Sequence, residues 1–239
     1  HHHMGQGIVA TINDFGVQGD RPTHPDLLEW LAADLVEHGW RLKRLHKMIL
    51  LSQAYQLSHQ ATASSRKRDP TNQLLGHFNR RRMEAEVIRD NLLAVGGILD
   101  TTMYGPGTLD SSMRRRSIYF KVKRSQLVPF LRVFDWPDAL TSLGARPTTT
   151  VSPQALVFMN NPQVHACAEG LAAAVRPRLE ESCSAAVREA YLRAYGRLPS
   201  EQDLQDGIRY LEDHTDDPDQ ALVDYCLVLL STNEFIYIP

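Results

Sequence analysis

The chain has 239 residues and a mass of 27.0 kDa; 43% of it is hydrophobic, 23% is charged, and the formal net charge is -2. That length and apolar content support a buried core without disulfide or metal staples and exclude a disordered, collagen-like or mucin-like chain. No apolar run approaches the ~20 residues of a membrane span, and the near-neutral charge removes the simplest argument for a nucleic-acid binder.

Residues 5–22 are rich in glycine and polar turn formers and read as an irregular opening segment. Pro25 suits a first helical turn, where its missing N–H costs nothing. Leu27, Leu28, Leu31 and Leu35 follow at helical spacing, and Gly39 marks the stop. A second helix is predicted over about 41–57, with Leu42, Leu45 and Ile49 on its apolar face, so the two form a helical hairpin. Residues 60–67 are polar and aperiodic and read as an exposed loop; Asp69-Pro70 signals the next helical start.

A helix over about 83–95 presents Val87, Ile88, Leu92 and Val95 and ends at Gly96-Gly97. Residues 117–123 alternate Ile118, Phe120 and Val122 with Tyr119, Lys121 and Lys123, which predicts a strand, with residues 8–12 as a weak candidate partner. Beyond it the chain is helical again. Ser152-Pro153 starts one helix, Asn161-Pro162 restarts it, another spans about 180–195, Ser200 with Asp203 forms a capping box, and Asp217-Pro218 opens the last. The expected fold is mainly α, a compact multi-helix domain with one short β-ribbon around residues 117–123. Residues 4–239 read as a single domain, with 4–145 and 146–239 as candidate subdomains, and residues 1–3 as a tag remnant or a native histidine run.

The three cysteines, Cys167, Cys183 and Cys226, are widely spaced and give neither a disulfide framework nor a C-x-x-C pair. Cys226, among Leu222, Tyr225 and Leu229, reads as a buried small hydrophobe. Seven scattered histidines beyond the N-terminal three make no i, i+4 pair, so no metal site is expected.

Charge is unevenly divided. His77 to Arg132 carries 11 Lys/Arg against 5 Asp/Glu, a net of +6; Arg197 to the end carries 2 against 10, a net of -8. The basic stretch holds two triple-arginine runs, 80–82 and 114–116. Guanidinium forks suit bidentate contact with carboxylate, sulfate or phosphate, so Arg82, Arg89, Arg115 and Arg116 are candidates for an anion-binding site. The competing reading is internal pairing with Glu84, Glu86 and Asp90 or with the acidic C-terminal helices. Interleaved stacking aromatics of a single-strand binder are lacking, so no nucleic acid is expected as a partner. Asp14, Asp20, Asp135 and Asp138 stand in turn contexts where aspartate caps its own backbone, and no serine has a nucleophile elbow; no catalytic residue is assigned.

Several segments together resemble one family. They are G-Q-G-I-V-A-T-I-N-D-F-G-V-Q-G-D-R-P-T-H-P (Gly5 to Pro25), G-W-R-L-K-R-L-H-K-M-I-L-L-S-Q-A-Y (Gly39 to Tyr55) and N-R-R-R-M-E-A-E-V-I-R-D (Asn79 to Asp90). R-R-S-I-Y-F (Arg115 to Phe120), T-T-V-S-P-Q-A-L-V-F-M-N-N-P (Thr149 to Pro162) and S-T-N-E-F-I-Y-I (Ser231 to Ile238) complete the pattern. It resembles the domain-of-unknown-function family numbered 1553, the C-terminal part of large planctomycete-type proteins. The resemblance implies an extracytoplasmic, periplasmic or secreted, chain whose partners are upstream domains of the same protein. A haem is expected only in an upstream cytochrome-c-like domain and no cofactor in this segment, which has no C-x-x-C-H. Family sequences continue upstream with a further helix and a histidine pair, which makes His2 and His3 candidates for native residues and implies an exposed apolar groove where that helix packs. The resemblance carries over no catalytic residue.

Three functional readings follow. One is a non-catalytic scaffold or binding module of a larger cytochrome-c-associated protein; another is a hydrolase or binding domain for an anionic, acidic or sulfated, glycan; the third is an accessory role in electron transfer that positions a haem domain outside this segment.

Overall fold

The computed structural model describes residues 1–137 and 143–238. Asp138, one of the turn aspartates, lies outside the described residues. Among the described residues the chain is 51% helical, with 11 helices and one short two-stranded antiparallel sheet, and it is mainly α as the periodicity predicts. It divides into two compact units: His1–Arg81 with Leu143–Ala145 and Tyr237–Pro239, and Arg82–Ser142 with Arg146–Ile236.

The first unit holds α1 (Pro25–Glu37), α2 (Leu42–Leu50) and α3 (Ala63–Arg68). Pro25 sits in the first turn of α1, and Gly39 follows its end with φ +67, a left-handed turn that suits glycine. Helices α1 and α2 pack together, and buried Asp34 of α1 pairs with Arg44 of α2. Helix α2 stops earlier than predicted. Ser52 Oγ donates to the Ile49 carbonyl at 2.7 Å and accepts the Tyr55 N–H at 3.3 Å, turning the chain out of the helix. The stretch read as a loop at 60–67 contains α3, because Thr62 caps it by accepting the Ser65 N–H at 3.1 Å. Buried Asn72 ties the 72–79 turn together, donating to the His77 carbonyl at 2.8 Å and Asn79 Oδ1 at 2.9 Å.

The second unit holds α4 (Ala85–Val95), α5 (Pro129–Val133), α6 (Ser152–Asn160), α7 (Pro162–Leu179), α8 (Cys183–Tyr195), α9 (Glu201–Asp213), α10 (Pro218–Ser231) and α11 (Asn233–Ile236). Helix α7 packs against α4, α6, α8 and α10, so its small residues Ala168 and Ala172 lie at the centre of the core beside Leu171 and Val175. The α4–α7 approach is very close: a Cβ on Gly170 would stand 1.9 Å from the Gly96 carbonyl oxygen. Cys226 is fully buried on α10, and burial pushes its thiol up to about 12. The predicted capping box is present at α9, and Asp217 caps α10 by accepting the Gln220 N–H.

The ribbon is not where the alternation placed it. Its strands are β1 (Arg81–Arg82) and β2 (Tyr237–Ile238), while Ser117–Tyr119 is a 3₁₀ turn and residues 8–12 are bends and turns. Only Phe120 of the alternating set is buried; Ile118 is 77% and Val122 62% exposed. Two anchors explain this. Ser117 is held by Asp90, and Phe120 lies under the Arg89 guanidinium at 4.8 Å. Anchors three residues apart fit a 3₁₀ period and override the period of two.

Candidate functional site

Arg82, at the end of β1, is buried, and its donors point inward. One Nη2 bond reaches Asp135 Oδ2 at 2.6 Å and another the Phe134 carbonyl at 3.3 Å; Nη1 donates to the Thr149 carbonyl. Asp135 also accepts the Thr149 N–H and hydroxyl, both at 2.8 Å. Partial burial opposes ionisation of Asp135, but the Thr149 bonds and Arg82 outweigh it and hold the carboxyl below the usual carboxylate range. Its D-W-P-D context suggested a self-capping turn. The left-handed backbone at Asp135, φ +61, instead turns the carboxylate across to residue 149.

Arg89 is the largest fully buried side chain of the second unit. Its Nη1 donates to the Arg115 carbonyl at 3.0 Å and Ser117 Oγ at 3.2 Å, and its Nη2 to the Met113 carbonyl. The neighbouring carboxylate, Asp90, stands 3.8 Å away and accepts both the backbone N–H and the hydroxyl of Ser117 at 2.7 Å. Desolvation lowers the Arg89 pKa, and Asp90 opposes that shift. The α4 sequence R-D thus clamps the whole 113–120 segment to the helix.

The Arg115 guanidinium carbon sits over the Tyr119 ring, 3.6 Å from its centre, and the group donates to the Thr102 carbonyl at 3.1 Å and to the Tyr104 carbonyl. Arg116 is 65% exposed, with its Nε 3.6 Å from Asp90. Arg89, Arg115 and Arg116 therefore gather around residues 113–117, whereas the partners of Arg82 are Asp135, Thr149 and Phe134. Three of the four guanidinium groups are engaged by backbone carbonyls, which sequence reasoning did not weigh beside carboxylates. Glu86, offered by the sequence as a partner for the arginine runs, instead accepts the Trp136 indole N–H at 2.8 Å and pairs with Arg146, partners fifty and sixty positions away that leave no local signal.

Among the described residues no group of three His, Cys, Asp or Glu is placed to hold a metal ion. Cys167 and Cys226 are buried, and burial pushes their thiols up to about 11 and about 12.

The first unit carries a different feature. A groove of ≈ 560 Å³ is lined by Ile8, Ile12, Phe15, Leu27, Leu28 and Met48, among others. Phe15 is 77% and Trp30 53% exposed, and α2 has no buried residue. Of the described apolar residues in this unit, only Phe78 is buried, packed edge-on against Tyr55. Beside the groove His3 Nε2 lies 2.9 Å from His46 Nδ1.

No curated protein and no solved structure matches the chain. The family model described as PSD1, protein of unknown function (DUF1553), matches residues 1–211. That match covers most of the chain and agrees with the motifs at Gly5–Pro25, Gly39–Tyr55 and Asn79–Asp90; the chain belongs to the DUF1553 family.

Proposed function

We propose that this chain is a non-catalytic scaffold or binding module of a larger extracytoplasmic, cytochrome-c-associated protein, and that its first unit docks onto the upstream domains of that protein. One observation carries the reading. The second unit buries an extensive apolar core, while the first leaves Phe15 and Trp30 of an open apolar groove, and Trp40 and Leu51 outside it, more than half exposed. Burying a side chain of that size is worth about 1.5–3 kcal/mol. A helix pair that leaves so much apolar surface in water suits a partner that covers it. The motif resemblance supplies the partner's kind, a haem-bearing domain on the same polypeptide, and the extracytoplasmic setting.

The glycan-directed alternative draws less support from the geometry. The Arg82, Arg89 and Arg115 guanidinium groups, on which it relied, donate to carbonyls of the fold.

Hydrogen exchange on the full-length protein and on the 239-residue chain tests the docking role. Residues 25–31 and 48–52 are expected to exchange more slowly when the upstream domains are attached. Equal exchange in both would overturn it.

A further inference from the structure

We propose that segments 101–108 and 114–124 of the second unit form a docking surface for an anionic lipid bilayer. The two segments are bound side by side. Asp100 bridges to Arg115 and Thr108 to Phe120, with the Lys121 N–H donating to the Thr108 carbonyl at 2.8 Å. The loop between them is pinned as well: the Tyr119 hydroxyl accepts the Tyr104 N–H at 2.7 Å, and Arg115 holds the Thr102 and Tyr104 carbonyls.

These contacts hold apolar side chains in water. Met103 is 67%, Tyr104 79%, Ile118 77% and Val122 62% exposed. Tyr104 has φ +68, a left-handed conformation that is unfavourable for a bulky residue and persists only where surrounding contacts enforce it. The fold therefore fixes this ring outward.

Cations interleave with those side chains. Residues 101–126 contain six Lys/Arg and a single acid, Asp110, whose carboxylate is occupied by the Ser112 N–H and hydroxyl. Arg114, Lys121, Lys123 and Arg124 are exposed, and no ion pair is formed by them among the described residues. Lys123 and Arg124 occupy a tight turn closed by the Gln126 N–H on the Lys123 carbonyl at 3.0 Å.

Charge complementarity selects an anionic occupant, and the aliphatic members select its kind. A soluble sulfated or acidic polymer pairs with the cations but offers nothing to Ile118, Val122 or Met103. An anionic bilayer takes both: headgroups meet Lys and Arg, and the apolar side chains enter the headgroup–acyl boundary. This surface lies wholly in the second unit, so it stands or falls independently of the docking role given to the first.

The test is flotation of the 239-residue chain with vesicles of phosphatidylcholine plus phosphatidylglycerol, beside phosphatidylcholine alone, with dextran sulfate as a soluble competitor. The chain is expected to float with the anionic vesicles only, and less as salt rises. Each cation near the leaflet strengthens partitioning about fivefold, so Lys121→Glu, Lys123→Glu and Arg124→Glu together lower it at least ~100-fold. Ile118→Ser with Val122→Ser, at exposed positions, lowers partitioning while leaving the near-ultraviolet circular dichroism unchanged. Absence of flotation overturns the proposal. So does retained binding in the Ile118→Ser/Val122→Ser variant together with full competition by dextran sulfate, which assigns the surface to a soluble polyanion.

Discussion

Replacing Arg89 with methionine keeps much of the buried volume and removes every donor. The Arg115 and Met113 carbonyls then lose the guanidinium that satisfies them, while Ser117 Oγ keeps its bond to Asp90. An orphaned buried acceptor costs about 1–3 kcal/mol. Gln163 Nε2, 3.4 Å from the Met113 oxygen, makes good part of one loss. Release of a charge that the site desolvates offsets a further part. The net expectation is a destabilisation of about 2–4 kcal/mol. In a chain of this size each kcal/mol lowers the melting temperature by about 2–4 °C, so thermal unfolding followed by circular dichroism should shift down by roughly 5–15 °C. Arg89→Lys, with one point donor, recovers part of the loss. Val87→Ala, on the exposed side of the same helix, stays within about 0.5 kcal/mol of the parent. An Arg89→Met variant within about 1 kcal/mol of the parent would show that α4 is not anchored through this guanidinium.

Asp135→Asn is expected to destabilise the chain at neutral pH, with the deficit shrinking under acid. A carboxyl held below its ordinary value contributes stability above pH ~4 and loses it as pH falls through the folded value. Asparagine also tolerates the left-handed backbone at 135, so a deficit unchanged between pH 7 and pH 3, read by urea melts, refutes the ionic account. Gly170→Ala should lower the urea midpoint by the equivalent of about 1–3 kcal/mol or more, because its Cβ meets the Gly96 carbonyl oxygen and neither helix backbone can yield. A gain of stability from alanine's helix propensity would contradict that close approach.

The helical order of the second unit was legible because its signals are local. Caps at Ser200 and Asp217, prolines at 153, 162 and 218, and 3.6-residue periodicity need no knowledge of distant residues. Residues 117–123 were misread because tertiary anchors three residues apart outweighed the alternation. The arginine readings went half way. Sequence offered Glu84, Glu86, Asp90 and ligands as partners; Asp90 is used, Asp135 serves Arg82 although it read as a self-capping turn residue, and backbone carbonyls at 113, 115, 134 and 149 took most of the donors. A carbonyl is present at every residue, so only the fold says which ones are left facing a guanidinium. The openness of the groove left no signal in the spacing. The leucines of α1 recur as those of a core helix do, and nothing in that recurrence says that Leu27 and Leu28 stay 40% and 41% exposed.

The charge polarity survives folding, and this bears on what the second unit can meet. The +6 stretch and the -8 end could have neutralised each other. They do not do so through the ion pairs of the described residues: Arg82, Arg89 and Arg116 go to Asp135 and Asp90, while Asp219, Glu234 and Asp206 go to Arg176, Arg197 and Arg209. Each region is served by neighbours and keeps its excess. A surface shaped only for solubility mixes its signs and hides its aliphatic side chains. Here Lys121, Lys123 and Arg124, which form no ion pair among the described residues, stand beside exposed Ile118 and Val122. In the proposed bilayer docking it is this retained excess of cations that draws the basic segments to the leaflet.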